Sequence, residues 1–167
     1  ADSRHPRSED RRPGKAQGMK IQRLPLGRFE IYGLSDGYFW LDGGAMFGVV
    51  PKTLWKKKYH SDMKNRIKLS LNSLLIKTTE ALILVETGIG PKLGPKFTEL
   101  YTVKRDSGLL GGLNQVGYKS GDIDFVINTH LHFDHCGGNT FENPKGELVP
   151  VFSRARYIIQ EGEWEDS

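Results

Sequence analysis

The chain has 167 residues, with 24 Lys and Arg against 20 Asp and Glu, 37% hydrophobic residues and one cysteine. That length suits one domain, and 10% aromatic residues with interspersed charges exclude wholesale disorder. The longest apolar run, Ala81 to Val85, is far short of the ~20 residues that a membrane-crossing helix needs, and Cys136 alone cannot staple the fold. A cytoplasmic, reducing setting without a membrane span is therefore expected.

Residues 1–18 contain no Ile, Leu, Val, Phe, Trp or Tyr, so they offer no face to bury. Their acidic residues argue against a transit peptide, and Met19 follows directly, so 1–18 is read as a vector-derived, disordered leader and 19–167 as the domain. Without the leader the net charge falls from +4 to +2, too balanced for a nucleic-acid footprint.

Ile21 to Leu26 and Phe29 to Leu34 read as short strands around the turn-prone Gly27, and Phe39 to Leu41 as a third, closed by Asp42-Gly43-Gly44. Pro51 to Asn65, with Lys56-Lys57-Lys58, has no strong period and reads as a solvated helix or loop, with His60 at its surface. Leu71 to Lys77 and Ala81 to Val85 form a predicted hairpin across Thr78-Thr79-Glu80. The second arm is apolar throughout, as in a strand buried on both faces. A Pro/Gly-rich connection follows. Leu109, Leu110, Leu113 and Val116 then fall at helical spacing, with Gly117 as the stop. Asp122 to Asn128 and Ala155 to Gln160 are predicted strands, and Glu161 begins a further helix. Strand, helix, strand in that order implies a layered α/β architecture.

The chemistry is concentrated after the strand ending at Asn128, in Thr129-His130-Leu131-His132-Phe133-Asp134-His135-Cys136-Gly137-Gly138. Three of the five histidines lie within six positions, with a carboxylate among them. Imidazole and carboxylate suit zinc and its neighbours, and carboxyl ends of strands are where α/β proteins bind ligands. On an extended backbone His130 and His132 point to the same side. The glycine pair lets the backbone come close to the metals.

His130, His132, Asp134 and His135 form a His-x-His-x-Asp-His pattern that resembles the signature of the metallo-β-lactamase superfamily. Val85-Glu86-Thr87-Gly88 is similar to that family's Asp-Thr-Gly at a strand end. Asp42 to Pro51 resembles the branch of quorum-quenching lactonases. The resemblance implies the amino-terminal half of an αββα sandwich, a mixed sheet with flanking helices. It also implies two zinc ions, with iron or manganese acceptable to the same ligands. His130 and His132 would hold the first ion, and Asp134 and His135 the second. Asp134 is also the candidate for proton handling. Glu86 would orient a ligand through a hydrogen bond, or else be a surface carboxylate. Cys136 is expected to be an inert thiol. The implied reaction is attack of metal-bound hydroxide on a lactone or ester carbonyl of a small-molecule substrate.

In that family another histidine and a bridging aspartate complete the site downstream, yet no histidine follows His135 here. The expectation is therefore a cut-down hydrolase, inactive as this chain. One of its sheet faces is then uncovered, and a homo-oligomer is expected to cover it. The alternative is a non-catalytic module that folds by self-association and binds metal weakly or not at all.

Overall fold

A computed structural model describes residues 21–167, so the leader expected at 1–18 lies outside the described residues. The principal sheet has six strands. β1 (Gln22–Leu26), β2 (Phe29–Asp42), β3 (Arg66–Lys77) and β4 (Leu82–Val85) run antiparallel in turn. β5 (Phe125–Asn128) then adds parallel to β4. A further strand at Arg156–Ile159 adds parallel to β5. Among the described residues no helix is long and apolar enough to cross a membrane.

The two strands expected at Phe29 to Leu34 and Phe39 to Leu41 are one 14-residue strand. Its register against β3 slips between Ser35 and Gly37, leaving Asp36 as the extra residue of a bulge. Ser-Asp-Gly reads locally as a turn, but here it only bends the strand. Asp42-Gly43-Gly44 also does more than close it. The Asp42 side chain accepts a 3.1 Å hydrogen bond from Ala45 N and caps helix α1 (Gly43–Phe47). Pro51 to Asn65 contains only the short α2 (Lys52–Trp55), and His60 is exposed as expected. Phe47 stacks on Trp55 at 4.9 Å between ring centroids.

The predicted hairpin is present, with Thr78 N donating to Ala81 O, and β3 begins earlier, at Arg66. The connection after β4 holds an unforeseen helix, α3 (Pro95–Leu100), started by proline. The predicted helix is α4 (Gly108–Gln115). It ends in a Schellman arrangement: Gly117, at φ +87°, donates to Asn114 O while Tyr118 N donates to Leu113 O. Leu109 and Leu113 press into a core of Leu34, Leu75, Leu84, Ile123, Val126 and Phe152, whereas Leu110 stays exposed. β5 starts three residues later than expected because Ser120–Asp122 winds into a 3₁₀ turn. After β5 come α5 (Phe133–Cys136), the small hairpin of β6 (Thr140–Glu142) and β7 (Leu148–Pro150), the sixth sheet strand as β8, and α6 (Glu161–Glu165).

The sheet is two-faced. Leu34, Leu75, Leu84 and Val126 face α4, and the residues before and after each of them along its strand face away. Register puts Leu24 beside Ile31, Ile31 beside Ile76, Ile76 beside Ile83, and Ile83 beside Phe125 on that second face. Leu74, Val85, Ile127 and Ile158 continue it one row along. β4 is therefore fully buried only through Leu84, and Ile83 and Val85 are half-buried. Leu74 is 45% and Ile158 47% exposed, so this apolar face is open to solvent. Truncating the buried side should be costly: Leu84→Ala is expected to lose about 2–5 kcal/mol in urea unfolding. Ile158→Ala, on the open face, should change stability far less.

Candidate metal centre

β4 and β5 end side by side, and Glu86 N still donates to Ile127 O, carrying the parallel pairing one residue further. The Glu86 backbone then turns to φ +64°, a conformation few non-glycine residues adopt. Its carboxylate lies between the two strand ends, 7% exposed, with one oxygen accepting from Thr129 N at 2.8 Å. Burial rules out the surface-carboxylate alternative for Glu86.

From the end of β5, Thr129 to His132 leads into α5, where His135 N and Cys136 N both donate to His132 O. This fold brings the three histidine rings together. His130 lies 3.8 Å from His135 and 4.8 Å from His132, centroid to centroid. The Nδ1 of His130 is 3.0 Å from the Thr129 hydroxyl. The Nδ1 of His135 is 3.3 Å from Glu86 Oε2, and its Nε2 is 3.4 Å from Asp134 Oδ2. Donor atoms of Glu86, His130 and His135 all lie within 4.8 Å of one another. His132 and Asp134 flank that trio, His132 exposed and Asp134 partly so.

A divalent cation fits these residues. Two imidazoles and a buried carboxylate are a donor set for zinc or its neighbours. Although Glu86 Oε2 and His135 Nδ1 are in contact, their angle makes no hydrogen bond, and both atoms are buried without a hydrogen-bond partner. A buried anionic oxygen left so incompletely compensated is expensive unless positive charge is near.

Behind the rings is a polar scaffold. The His135 carbonyl accepts from Thr87 N at 2.8 Å and Asn128 Nδ2 at 3.3 Å, with the Thr87 hydroxyl at 3.2 Å. Asn139 bonds to both Asn128 and Thr87, and the last two are almost fully buried. Gly137 and Gly138 serve a different contact from the one expected of them. They let the backbone approach the Thr87–Gly90 turn, with Gly138 N donating to Gly88 O; a Cβ on Gly138 would lie 2.2 Å from Thr87 O. Cys136 is half-buried, its Sγ 3.2 Å from Leu131 O, and burial pushes its thiol pKa up, as suits an inert group. Phe133 packs against Phe39, Phe97 and Tyr101, anchoring α5 to a second core cluster.

Residues 67–141 match the family described as the Metallo-beta-lactamase superfamily. The chain therefore carries a metallo-β-lactamase superfamily domain, with its six-stranded mixed sheet and helices in the corresponding fold. Among its relatives, the N-acyl homoserine lactonase of Bacillus cereus is 32% identical over 117 residues, covering 60% of this chain and 40% of that protein. A "probable metal-dependent hydrolase" of Staphylococcus aureus has a similar crystal structure, with TM-score 0.78 and 36% identity, covering 86% of this chain and 50% of that one. The dizinc quorum-quenching lactonase AidC follows with TM-score 0.64 and 29% identity, over 87% of this chain and 46% of its own. The chain thus spans about half or less of the length of these relatives.

The glycine contact gives a direct test. Gly138→Ala is expected to cost about 1–3 kcal/mol or more in urea unfolding, because the new methyl meets backbone that cannot yield. Gly121→Ala, with open space around it, should stay close to wild type.

Proposed function

We propose that this chain is the metal-binding part of a hydrolase acting on lactone- or ester-type carbonyl compounds, with His130, His132, Asp134 and His135 as the metal ligands. The observation that carries this reading is the convergence of three imidazoles beside a buried carboxylate at the carboxyl ends of parallel strands. Zinc is the first expectation, and iron or manganese would accept the same donors. A divalent cation held there supplies Lewis acidity toward a carbonyl oxygen and lowers the pKa of water.

The protein groups have separable tasks. The Thr129 hydroxyl engages His130 Nδ1, leaving its Nε2 for a ligand role, while the Glu86 carboxylate lies 3.3 Å from His135 Nδ1 without a hydrogen bond. Asp134 is the more exposed of the two carboxylates at the cluster, so it is the one able to exchange a proton with substrate as well as to ligate. Small acyl lactones, the substrates named for the relatives, are the substrate class we favour, in a cytoplasmic setting consistent with one free cysteine.

Two ions would require about three protein ligands each in a catalytic centre. The five donor residues here fall short of that, so the chain alone is expected to bind metal and to hydrolyse lactones slowly or not at all. After dialysis against chelator and then zinc, elemental analysis should find bound zinc. Glu86→Gln should weaken zinc binding about 10–100-fold. Zinc uptake no greater than in a variant with His130, His132 and His135 all changed to Ala would refute the metal reading.

The open sheet face supports a further part of the proposal: a second copy of the chain covers it. Leu24, Leu26, Leu74 and Ile158, each 45–57% exposed, lie on one continuous apolar surface of the kind monomers seldom present. Light scattering should give a dimer or larger species at micromolar concentration, and Leu74→Lys should shift it toward monomer. A monomer throughout that range would defeat this part and leave the metal reading standing.

A further inference from the structure

We infer that Asp36, remote in sequence from every candidate ligand, is a positioning residue that sets where His135 sits. The inference rests on the metal reading only for its consequence at the cation; the mechanical linkage stands on the geometry of the chain alone.

Asp36 is the extra residue of the β2 bulge and is 4% exposed. Its Oδ2 accepts from Ile89 N, Gly90 N and Arg105 Nε, each at 3.1 Å, and its Oδ1 accepts from Leu109 N at 3.2 Å. Arg105 closes the ring by donating also to Gly90 O. One carboxylate therefore ties three backbone amides and a guanidinium from separate segments. Charge-assisted hydrogen bonds of this kind are stronger than neutral ones, and removing a buried charge's partners is correspondingly disruptive.

The tie matters because of what the Ile89–Gly90 turn supports. The ideal Cβ of Gly90 would be 2.6 Å from Gly138 Cα, and that of Gly137 2.2 Å from Ile89 O, so the two backbones touch with no side chain between them. Gly138 N donates to Gly88 O, and Thr87 N to His135 O at 2.8 Å. A shift of the turn is transmitted straight to the segment that carries His135, since close-packed backbone has no soft layer to absorb it. Glu86 immediately precedes the Thr87–Gly90 turn to which Ile89 and Gly90 belong, so both sides of the Glu86–His135 contact depend on it. A residue that merely filled the core under α4 would need neither a charge nor amide partners in the turn.

The test uses Asp36→Asn, which keeps shape and loses charge, and Arg105→Gln, which leaves the Asp36 amide contacts in place. Leu113→Ala serves as a control that weakens the core without touching the turn. Hydrogen exchange on the metal-free chain reads the linkage. The Thr87 and Gly138 amides should exchange about tenfold faster in Asp36→Asn, and in the same direction but less in Arg105→Gln, relative to the amides of β4 and β5. The cobalt-loaded protein should show an altered visible spectrum and about tenfold weaker cobalt binding in Asp36→Asn, as expected when support of a metal ligand is lost. Leu113→Ala should speed exchange broadly and leave the cobalt spectrum unchanged. If Asp36→Asn does not fold, Arg105→Gln alone decides. Wild-type exchange at Thr87 and Gly138, or a pattern no different from Leu113→Ala, overturns the inference. Failure of the wild-type chain to take up cobalt would instead count against the metal reading, and the exchange result would still stand.

Discussion

The candidate centre depends on one contact: the Thr87–Gly90 turn lying backbone to backbone against the His135–Gly138 segment. Parallel pairing of β4 and β5 brings the two strand ends together, but it cannot by itself aim the side chains beyond them. The aiming is done where the chains continue to touch after the ladder stops, through Thr87 N to His135 O and Gly138 N to Gly88 O. A Cβ at residue 90, 137 or 138 would lie only 2.2–2.6 Å from the facing backbone, so the two segments would have to move apart. The glycines that flank the histidine motif are thus requirements of loop-to-loop packing, and the convergence of His130, His135 and Glu86 follows from that packing.

Two buried carboxylates separate structure from chemistry in this fold. Asp36 is surrounded by donors, with both oxygens engaged, so its charge is compensated inside the protein. Glu86 is buried almost as deeply, but only one of its oxygens accepts a well-formed hydrogen bond, from Thr129 N. The other faces an imidazole that is itself without a hydrogen-bond partner. Desolvating a charge costs several kcal/mol after relaxation, so the protein tolerates such a shortfall only where something else supplies positive charge. Asp36 therefore serves as an internal clamp, and Glu86 borders a place suited to a cation.

Much of this was legible in the sequence because it was local. The apolar runs at Leu71 to Lys77 and Ala81 to Val85 had only one way to bury, as a hairpin, and the spacing of Leu109 and Leu113 matched one helix face. The histidine motif announced itself by composition. Asp36 did not, since Ser-Asp-Gly reads as a turn and its partners Ile89, Gly90, Arg105 and Leu109 are 53 to 73 residues away. α3 was hidden for a similar reason: Pro91, Gly94 and Pro95 suggest a loop, although proline is also a favoured way to begin a helix. Glu86 was ambiguous because its burial depends on a left-handed backbone turn that side-chain patterning does not encode.

The two faces of the sheet connect stability to the site. On one face α4 and Phe152 seal Leu75, Leu84 and Val126, which holds β4 and β5 in register. On the other, Ile83, Val85, Phe125 and Ile127 belong to the same two strands and are only half-buried. Covering that second face would add burial at roughly 25 cal/mol per Å² to the strands whose ends carry Glu86 and the histidine loop. Whatever covers it therefore acts on the centre without touching it, by making the strand ends harder to separate. In this architecture the open face and the candidate centre are energetically linked through two four-residue strands, each turning one face to the core and the other to solvent.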